Sequence, residues 1–416
     1  FGRLNVDWNK KYLLNVTARR DGSSRYGPEN RFANFGSAGI GWIFHNEKFF
    51  ESFIPGLSFG KIRASYGITG NDQIGDYKYL DTYSPYNTVY SGISPLEPTQ
   101  LFNPDYSWEK VRKAEFGLDI GILQNRILLS GTYYHHITTN QLVNYSLPTF
   151  VGFNGVLRNI PVRIRNSGIE LEINAVLLKS KSWMWKSTFT FSSPENRLLS
   201  FDGLESSSYA NTYVVGKSLF IQKRFESTGI DSSTGLYTFT DFNRDGNISS
   251  PADNQIIVFT GQQYFGGLYQ SLQFKNIELS VFVQYVRQKS ASSYLNAFAT
   301  PGISSNQPAW LIDRWRKPGD MTRYQRVAVS NSATNVAYNN YKLSDASLDD
   351  ASFIRLKTVN ISWTPKILMY SKKVLLKVYL QAQNLFTLTS YQGLDPETKH
   401  LLPPLRMITS GIQLNF

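Results

Sequence analysis

Gly168-Ile169-Glu170-Leu171-Glu172-Ile173-Asn174-Ala175-Val176-Leu177 is the stretch on which the fold turns. Ile169, Leu171, Ile173, Ala175 and Leu177 share one parity, and Gly168, Glu170, Glu172 and Asn174 share the other. Successive strand residues point to opposite faces, so this segment is apolar on one face and charged on the other. A wall between lipid and a watery lumen needs that split, although a half-buried soluble strand alternates too. Recurrence therefore decides. Residues 12–20 set Tyr12, Leu14, Val16 and Ala18 against Leu13, Asn15, Thr17 and Arg19, and residues 114–122 set Phe116, Leu118, Ile120 and Ile122 against Glu115, Gly117, Asp119 and Gly121. Residues 374–383 place Val374, Leu376, Val378, Leu380 and Ala382 opposite Lys377, Tyr379, Gln381 and Gln383. The chain ends with Ile408, Ile412, Leu414 and Phe416 opposite Thr409, Gly411, Gln413 and Asn415. Between 353 and 363 the phase breaks, Ile354 and Leu356 on one parity and Val359, Ile361 and Trp363 on the other, and a bulge near Lys357-Thr358 restores a single apolar face.

Composition excludes several classes. Aromatic residues make up 14% of the chain while only 41% is hydrophobic, a mixture that fits many half-buried strands. No run of about 18 apolar residues exists, so a membrane role falls to strands of about 9–11 residues. With no cysteine, disulfides and thiolate metal sites are excluded. The net charge of +12 is scattered, without the basic stripe and interleaved aromatics of a nucleic-acid surface, and on a membrane protein it favours anionic lipid and lipopolysaccharide. No charged or Pro/Ser-rich linker divides residues 1–416, which read as one architectural unit.

Reading for period two gives about thirteen strands. Their connections alternate in length. Asn9-Lys10, Leu123-Gln124-Asn125, Lys179-Ser180-Lys181-Ser182 and Lys275-Asn276 are tight turns, whereas 21–32, 70–107, 139–165, 194–261, 290–350 and 387–405 are long. Outer-membrane barrels pair short periplasmic turns with long external loops. The first strand enters a short turn and the last leaves a long loop, so their number is odd. A closed bacterial barrel has an even count, and at least one further strand is expected upstream of Phe1. The fold expected is an all-β, antiparallel transmembrane barrel present in part.

The sharpest polar motif is Asp241-Phe242-Asn243-Arg244-Asp245-Gly246-Asn247, followed by Asp253. Oxygen side chains at the first, third and fifth positions with Gly at the sixth suit Ca²⁺, but the twelfth position is Ala252, and an Asp/Asn/Gly turn accounts for the same residues. His45, His135, His136 and His400 have no metal-ligand spacing. No nucleophile elbow or phosphate loop is present, and Glu170 and Glu172 read as lumen-facing charges, so no catalysis is expected. Tyr83, Tyr86, Tyr90, Phe150, Phe153, Trp310 and Trp315 lie in loops, where they can stack on sugar faces or pack the loops. Trp183 and Trp185 suit an interfacial girdle.

Several segments resemble the SusC/RagA family of TonB-dependent outer-membrane transporters. Arg20-Asp21-Gly22-Ser23-Ser24 after a strand, Trp42 with Glu47-Lys48-Phe49, Lys61–Asp72 and Asn103-Pro104-Asp105-Tyr106-Ser107-Trp108-Glu109 follow in family order. Asn166–Glu170, Arg314-Trp315 with Pro318-Gly319-Asp320, Asp350–Lys357, Ala382–Thr387 and Leu394-Asp395-Pro396-Glu397 continue the match. The resemblance implies about 22 strands around a plug, with residues 1–416 the carboxyl-terminal part of the barrel and the plug outside this chain. It implies import of oligosaccharides or peptides as the SusC-like component of a SusCD-type complex in the outer membrane of a Bacteroidetes-type bacterium. A SusD-like surface lipoprotein and TonB-ExbB-ExbD are the implied partners, nucleic acid is not, and Phe416 is the implied terminal aromatic of a barrel-assembly signal. A siderophore or cobalamin receptor and a soluble β-rich carbohydrate-binding module are the alternatives.

Overall fold

The computed structural model describes residues 1–48, 50, 56–86, 88–89, 91–147, 149–153, 155–297, 300–303, 306–329, 332–369, 372–399 and 402–415. Phe49, Tyr90, His400 and Phe416, which the sequence reading uses, lie outside them, as does the side chain of Val374. The chain forms two compact units, Phe1–Ala175 with Ser192–Leu219, and Val176–Phe191 with Phe220–Phe416. Each unit is built on antiparallel strands, most of them paired with a sequence neighbour.

In the first unit the strands are β1 (Gly2–Trp8), β2 (Tyr12–Gly22), β3 (Phe32–Trp42), β4 (Leu57–Asn71), the hairpin β5 (Thr82–Pro85) and β6 (Leu96–Gln100), β7 (Glu109–Ile122), β8 (Ile127–Ser146) and β9 (Gly155–Lys179), whose last residues belong to the other unit. They are hydrogen-bonded in the order β1-β2-β3-β4-β7-β8-β9. One register row crosses all seven as Val6, Leu14, Ile40, Ala64, Phe116, Tyr133 and Ile169. The adjacent row is Asn5, Asn15, Gly39, Ser65, Glu115, Tyr134 and Gly168. Apart from half-buried Ala64 the first row is exposed, Ile40 at 63% and Ile169 at 57%. Apolar side chains aligned and uncovered across seven strands are what a lipid-facing wall presents.

The second unit follows part of β10 (Trp183–Phe201) with β11 (Ile221–Arg224), β12 (Ser227–Ile230), β13 (Tyr237–Phe239), β14 (Ile256–Phe259), β15 (Gln262–Phe274), β16 (Ile277–Ala291) and the helix Ser332–Lys342. Then come β17 (Leu348–Asp350), β18 (Phe353–Trp363), β19 (Lys366–Met369), β20 (Lys372–Thr389) and β21 (Met407–Asn415). Phe274, Ile277, Trp363, Val378 and Ile412 form its apolar row. The bulge at Lys357 is present: the partners of Leu356 and Thr358 are consecutive on β16, Val283 and Phe282, so Lys357 is the extra residue. Ile354 and Ile361 are then both exposed.

Tight turns are built from residues with left-handed backbone, Asn9 and Lys10, Leu123 to Asn125, and Lys275. Asp7 accepts the Lys10 N–H at 2.9 Å. Gly266 is required for a different reason. It pairs with Tyr285, whose hydroxyl donates to Thr190 O at 2.9 Å, and a Cβ on Gly266 would lie 2.0 Å from that oxygen.

Two expected long loops are shorter than read. β8 runs to Ser146 and β9 starts at Gly155, so only 147–154 connects them, and β10 continues to Phe201. The reason is a phase change. Along β9 the apolar parity is odd at Ile169 to Ile173 but even at Ile160, Val162 and Ile164, which are buried with Leu198 and Phe201. Leu204, Tyr209 and Tyr213 pack on that cluster. Above the lipid belt a strand packs loops on the face that is polar below, so its periodicity reverses and reads as no strand.

Candidate functional site

A barrel wall meets water with its polar face and its long connections, and the polar side chains of this chain gather there. On the polar face of the first unit Arg63 lies 3.4 Å from Asp119, which also accepts the Ser130 hydroxyl at 2.6 Å. Gly117, the register partner of Arg63, leaves the space that the guanidinium fills: a Cβ there would lie 2.5 Å from Arg63 Cζ. Glu115 and His136 are 3.3 Å apart on the same face. These charges sit on a continuous hydrogen-bonded wall and satisfy one another.

The long connections of the first unit meet in a ring cluster. Tyr26, Phe35, Tyr106 and Trp108 are buried, with Tyr26 and Trp108 5.0 Å between centroids and Phe35 edge-on to Trp108 at 5.4 Å. The Tyr26 hydroxyl donates to Asn71 O at 2.8 Å and the Trp108 indole N–H donates to Asn30 O at 3.1 Å. Burial raises the Tyr26 hydroxyl pKa. Three phrases of the family resemblance, around Arg20–Tyr26, Gly70–Asp72 and Asn103–Trp108, thus converge in one scaffold. Sequence spacing gave no sign of this, because the partners are separated by up to 78 residues.

In the second unit a connection is fixed by charge. Arg355, 1% exposed, donates to Asp395 and stands 2.8 Å from Glu397, which Lys357 reaches at 2.7 Å. Gln288, also buried, donates to Pro396 O at 2.7 Å. Two more resemblance phrases, Asp350–Lys357 and Leu394–Glu397, are therefore halves of one clamp. Nearby, Tyr237 and Tyr341 stack at 4.0 Å, and Trp315 lies against Gly235, where a Cβ would be 2.3 Å from the indole.

The residues singled out from sequence separate accordingly. Tyr83, Tyr86 and Phe150 are exposed, Phe150 at 88%, while Phe153 is half-buried. Trp310 packs on Tyr324 at 4.4 Å, and Trp315 is buried and donates to Ser232 O. Trp183 pairs with Phe274 at 4.4 Å, and the Trp185 indole donates to Gln270 at 2.7 Å. In the Asp241 loop, Asp241 accepts the N–H groups of Arg244 and Gly246 at 2.7 and 2.8 Å, and Asp245 accepts that of Asn247 at 2.7 Å. Asp253 is fully buried, accepts the N–H groups of Phe242 and Ser249, each at 2.8 Å, and has its pKa lowered by these bonds. Among the described residues no group of three or more acidic or histidine side chains has the geometry of a metal site.

The comparisons agree with this architecture. The family model described as TonB dependent receptor-like, beta-barrel matches residues 1–385. The chain is 27% identical to the TonB-dependent receptor P3 of Formosa agariphila over 96% of its own length and 42% of the relative. It is 28% identical to the TonB-dependent receptor SusC of Bacteroides thetaiotaomicron over 96% of its own length and 41% of the relative. It superposes on the solved structure of the RagAB peptide transporter with a TM-score of 0.85 and 25% identity, covering 100% of this chain and 47% of that one. The chain thus spans less than half the length of these relatives.

Proposed function

Because this chain belongs to the TonB dependent receptor-like β-barrel family, whose members are transporters of the outer membrane and not enzymes, we propose that it supplies wall and loop layer to a SusC-like importer. The imported solutes are short oligosaccharides or peptides. The observation that carries the reading is the exposed apolar row from Val6 to Ile169 beside its polar neighbour row, a surface that only lipid covers without cost. Residues 1–416 are, on this reading, a part of the barrel. Outer-membrane lipid and lipopolysaccharide meet the apolar row.

Transport divides among the parts. The ring cluster and the Arg355 clamp hold the long connections in fixed shapes, so that exposed Tyr83, Tyr86 and Phe150 meet solute on a prepared surface. A SusD-like lipoprotein closes over the captured solute. TonB-ExbB-ExbD then supplies the energy that opens the lumen, whose polar face, with Arg63, Asp119 and Glu115, offers water-like partners along the path. A Ca²⁺ ion in the Asp241–Asp253 loop is a separate proposal, supported by the oxygen donor set of Asp241, Asn243, Asp245 and Asp253.

The test is uptake of labelled oligosaccharide and peptide mixtures by cells carrying the complete gene. Uptake that disappears without TonB, together with co-purification of a surface lipoprotein, supports the importer. Uptake unchanged by loss of TonB, or extraction of the full-length protein in water without detergent, rejects it.

A further inference from the structure

Within the second unit, β11, the end of β16, the end of the helix Ser332–Lys342 and Lys399 enclose a cavity of about 500 Å³. Among the described residues its lining includes Arg224, Lys289, Lys342 and Lys399, with the amides of Gln222 and Asn339, and no carboxylate. Four cations around one recess repel one another unless counter-charges are near, so the acids of the neighbouring elements matter. Asp350, the register partner of Lys289, turns to Arg287 at 2.8 Å. Asp345 accepts the Ser227 N–H at 3.0 Å. Asp395 is held by Arg355, and Glu397 by Arg355 and Lys357. Each of these acids has a partner outside the recess, and burial raises the pKa of Asp349, the register partner of Ser290.

Arg224 makes the imbalance sharpest. It is 8% exposed, and its described partners are neutral oxygens, Lys342 O at 2.9 Å and the Gln222 side chain. Burial lowers its pKa, the mark of a cation short of solvation. The Lys342 carbonyl belongs to the last turn of the helix, so Arg224 also cancels the negative helix end that would otherwise repel an anion. Three of its five N–H donors are used by these bonds, which leaves two. A buried guanidinium without a counter-charge is costly, and an entering anion removes that cost.

We propose that this cavity recognises a carboxylate-bearing segment of the imported oligomer. The inference rests on the importer reading and refines its substrate class from any short oligomer to an acidic one. The shared chemistry is the carboxylate, carried by an acidic peptide or by a uronic-acid sugar. The guanidinium fork and the three ammonium groups supply charge-assisted hydrogen bonds, and the two amides supply neutral ones.

Binding is read by calorimetry on the full-length transporter in detergent, with triglutamate, triglutamine and trigalacturonate as probes. Because no energised membrane is involved, failure of anion recognition leaves the importer reading intact. Lys289→Gln with Lys399→Asn is the variant of choice: both side chains line the recess, and Asn tolerates the left-handed backbone at Lys399. The expected result is tight, salt-sensitive binding of an acidic trimer, weakened at least tenfold by the double variant while triglutamine binding is unchanged. Whichever acidic trimer binds identifies the source, glutamate a peptide and galacturonate a glycan. An acidic trimer whose affinity the variant leaves unchanged, absence of binding by both, or equal loss for triglutamine overturns the proposal.

Discussion

The Trp108 cluster and the Arg355 clamp do the same task, holding long connections against strands, by opposite physics. Around Trp108 four buried rings exclude water, and an ion pair of that loop, Arg25 with Asp76, is exposed. Around Arg355 a nearly inaccessible guanidinium holds two acids from another loop. The ring cluster depends on contact area and shape, the clamp on a balanced set of charges in low dielectric. A ring can be trimmed in steps, whereas removing one buried charge strands its partners.

The largest effect expected is from Trp108→Ala. It deletes the central ring and leaves Asn30 O without its donor, at a cost of about 3–5 kcal/mol that salt does not change. Denaturant unfolding of the full-length protein in lipid at two salt concentrations measures it. Arg355→Ala should cost about 3 kcal/mol or slightly more, because Asp395 stays behind as an uncompensated buried acid and Glu397 keeps only Lys357. Adding Asp395→Asn and Glu397→Gln should then recover much of the loss. Recovery distinguishes a charge clamp from simple packing, and its absence would place Arg355 with Trp108.

Gly266→Ala comes next, at about 1–3 kcal/mol, since a methyl at that position meets Thr190 O and the Tyr285 hydroxyl. Tyr285→Phe in the same background should relieve part of the clash. Lys357→Ala, which removes a partly exposed ammonium from Glu397, should cost under about 1 kcal/mol and less at high salt. Alkaline pH acts on a separate cluster. Burial pushes Tyr338 up to about 12 and raises Tyr237 as well. The neutral hydroxyls are the folded form, so the stability of this tyrosine cluster is complete below pH about 10 and falls above it as the unfolded chain ionises. Protease sensitivity of 230–240 between pH 9 and 11 reads it, and a cluster that loosens below pH 9 would contradict the assignment.

The contrast also shows which parts of the molecule could be read without coordinates. Leu14, Phe116 and Ile169 of that row were legible because a pleated strand turns every second residue outward, and lipid on that side demands apolar residues at each, whereas Val6, Ile40, Ala64 and Tyr133 joined them only in the register. The Lys357 bulge was legible for the same reason, as an interruption of that rule. The upper part of β9 was missed by its own logic: Ile160, Val162 and Ile164 change parity where the strand leaves lipid and packs a loop. Trp315, read as a loop aromatic able either to stack on a sugar or to pack its loop, packs: it is buried against Gly235.

By itself, the sequence determined a wall of alternating strands, its lipid-facing parity, and the turns that join it, because each of these rests on neighbours two to four residues apart. Only the tertiary structure decided which phrases meet. Tyr26 finds Trp108, Arg355 finds Asp395, and Arg224 finds a recess with three lysines across dozens to more than a hundred residues of intervening chain. No local period encodes such pairings, since they are set by where the strands of the wall release and recover each long loop.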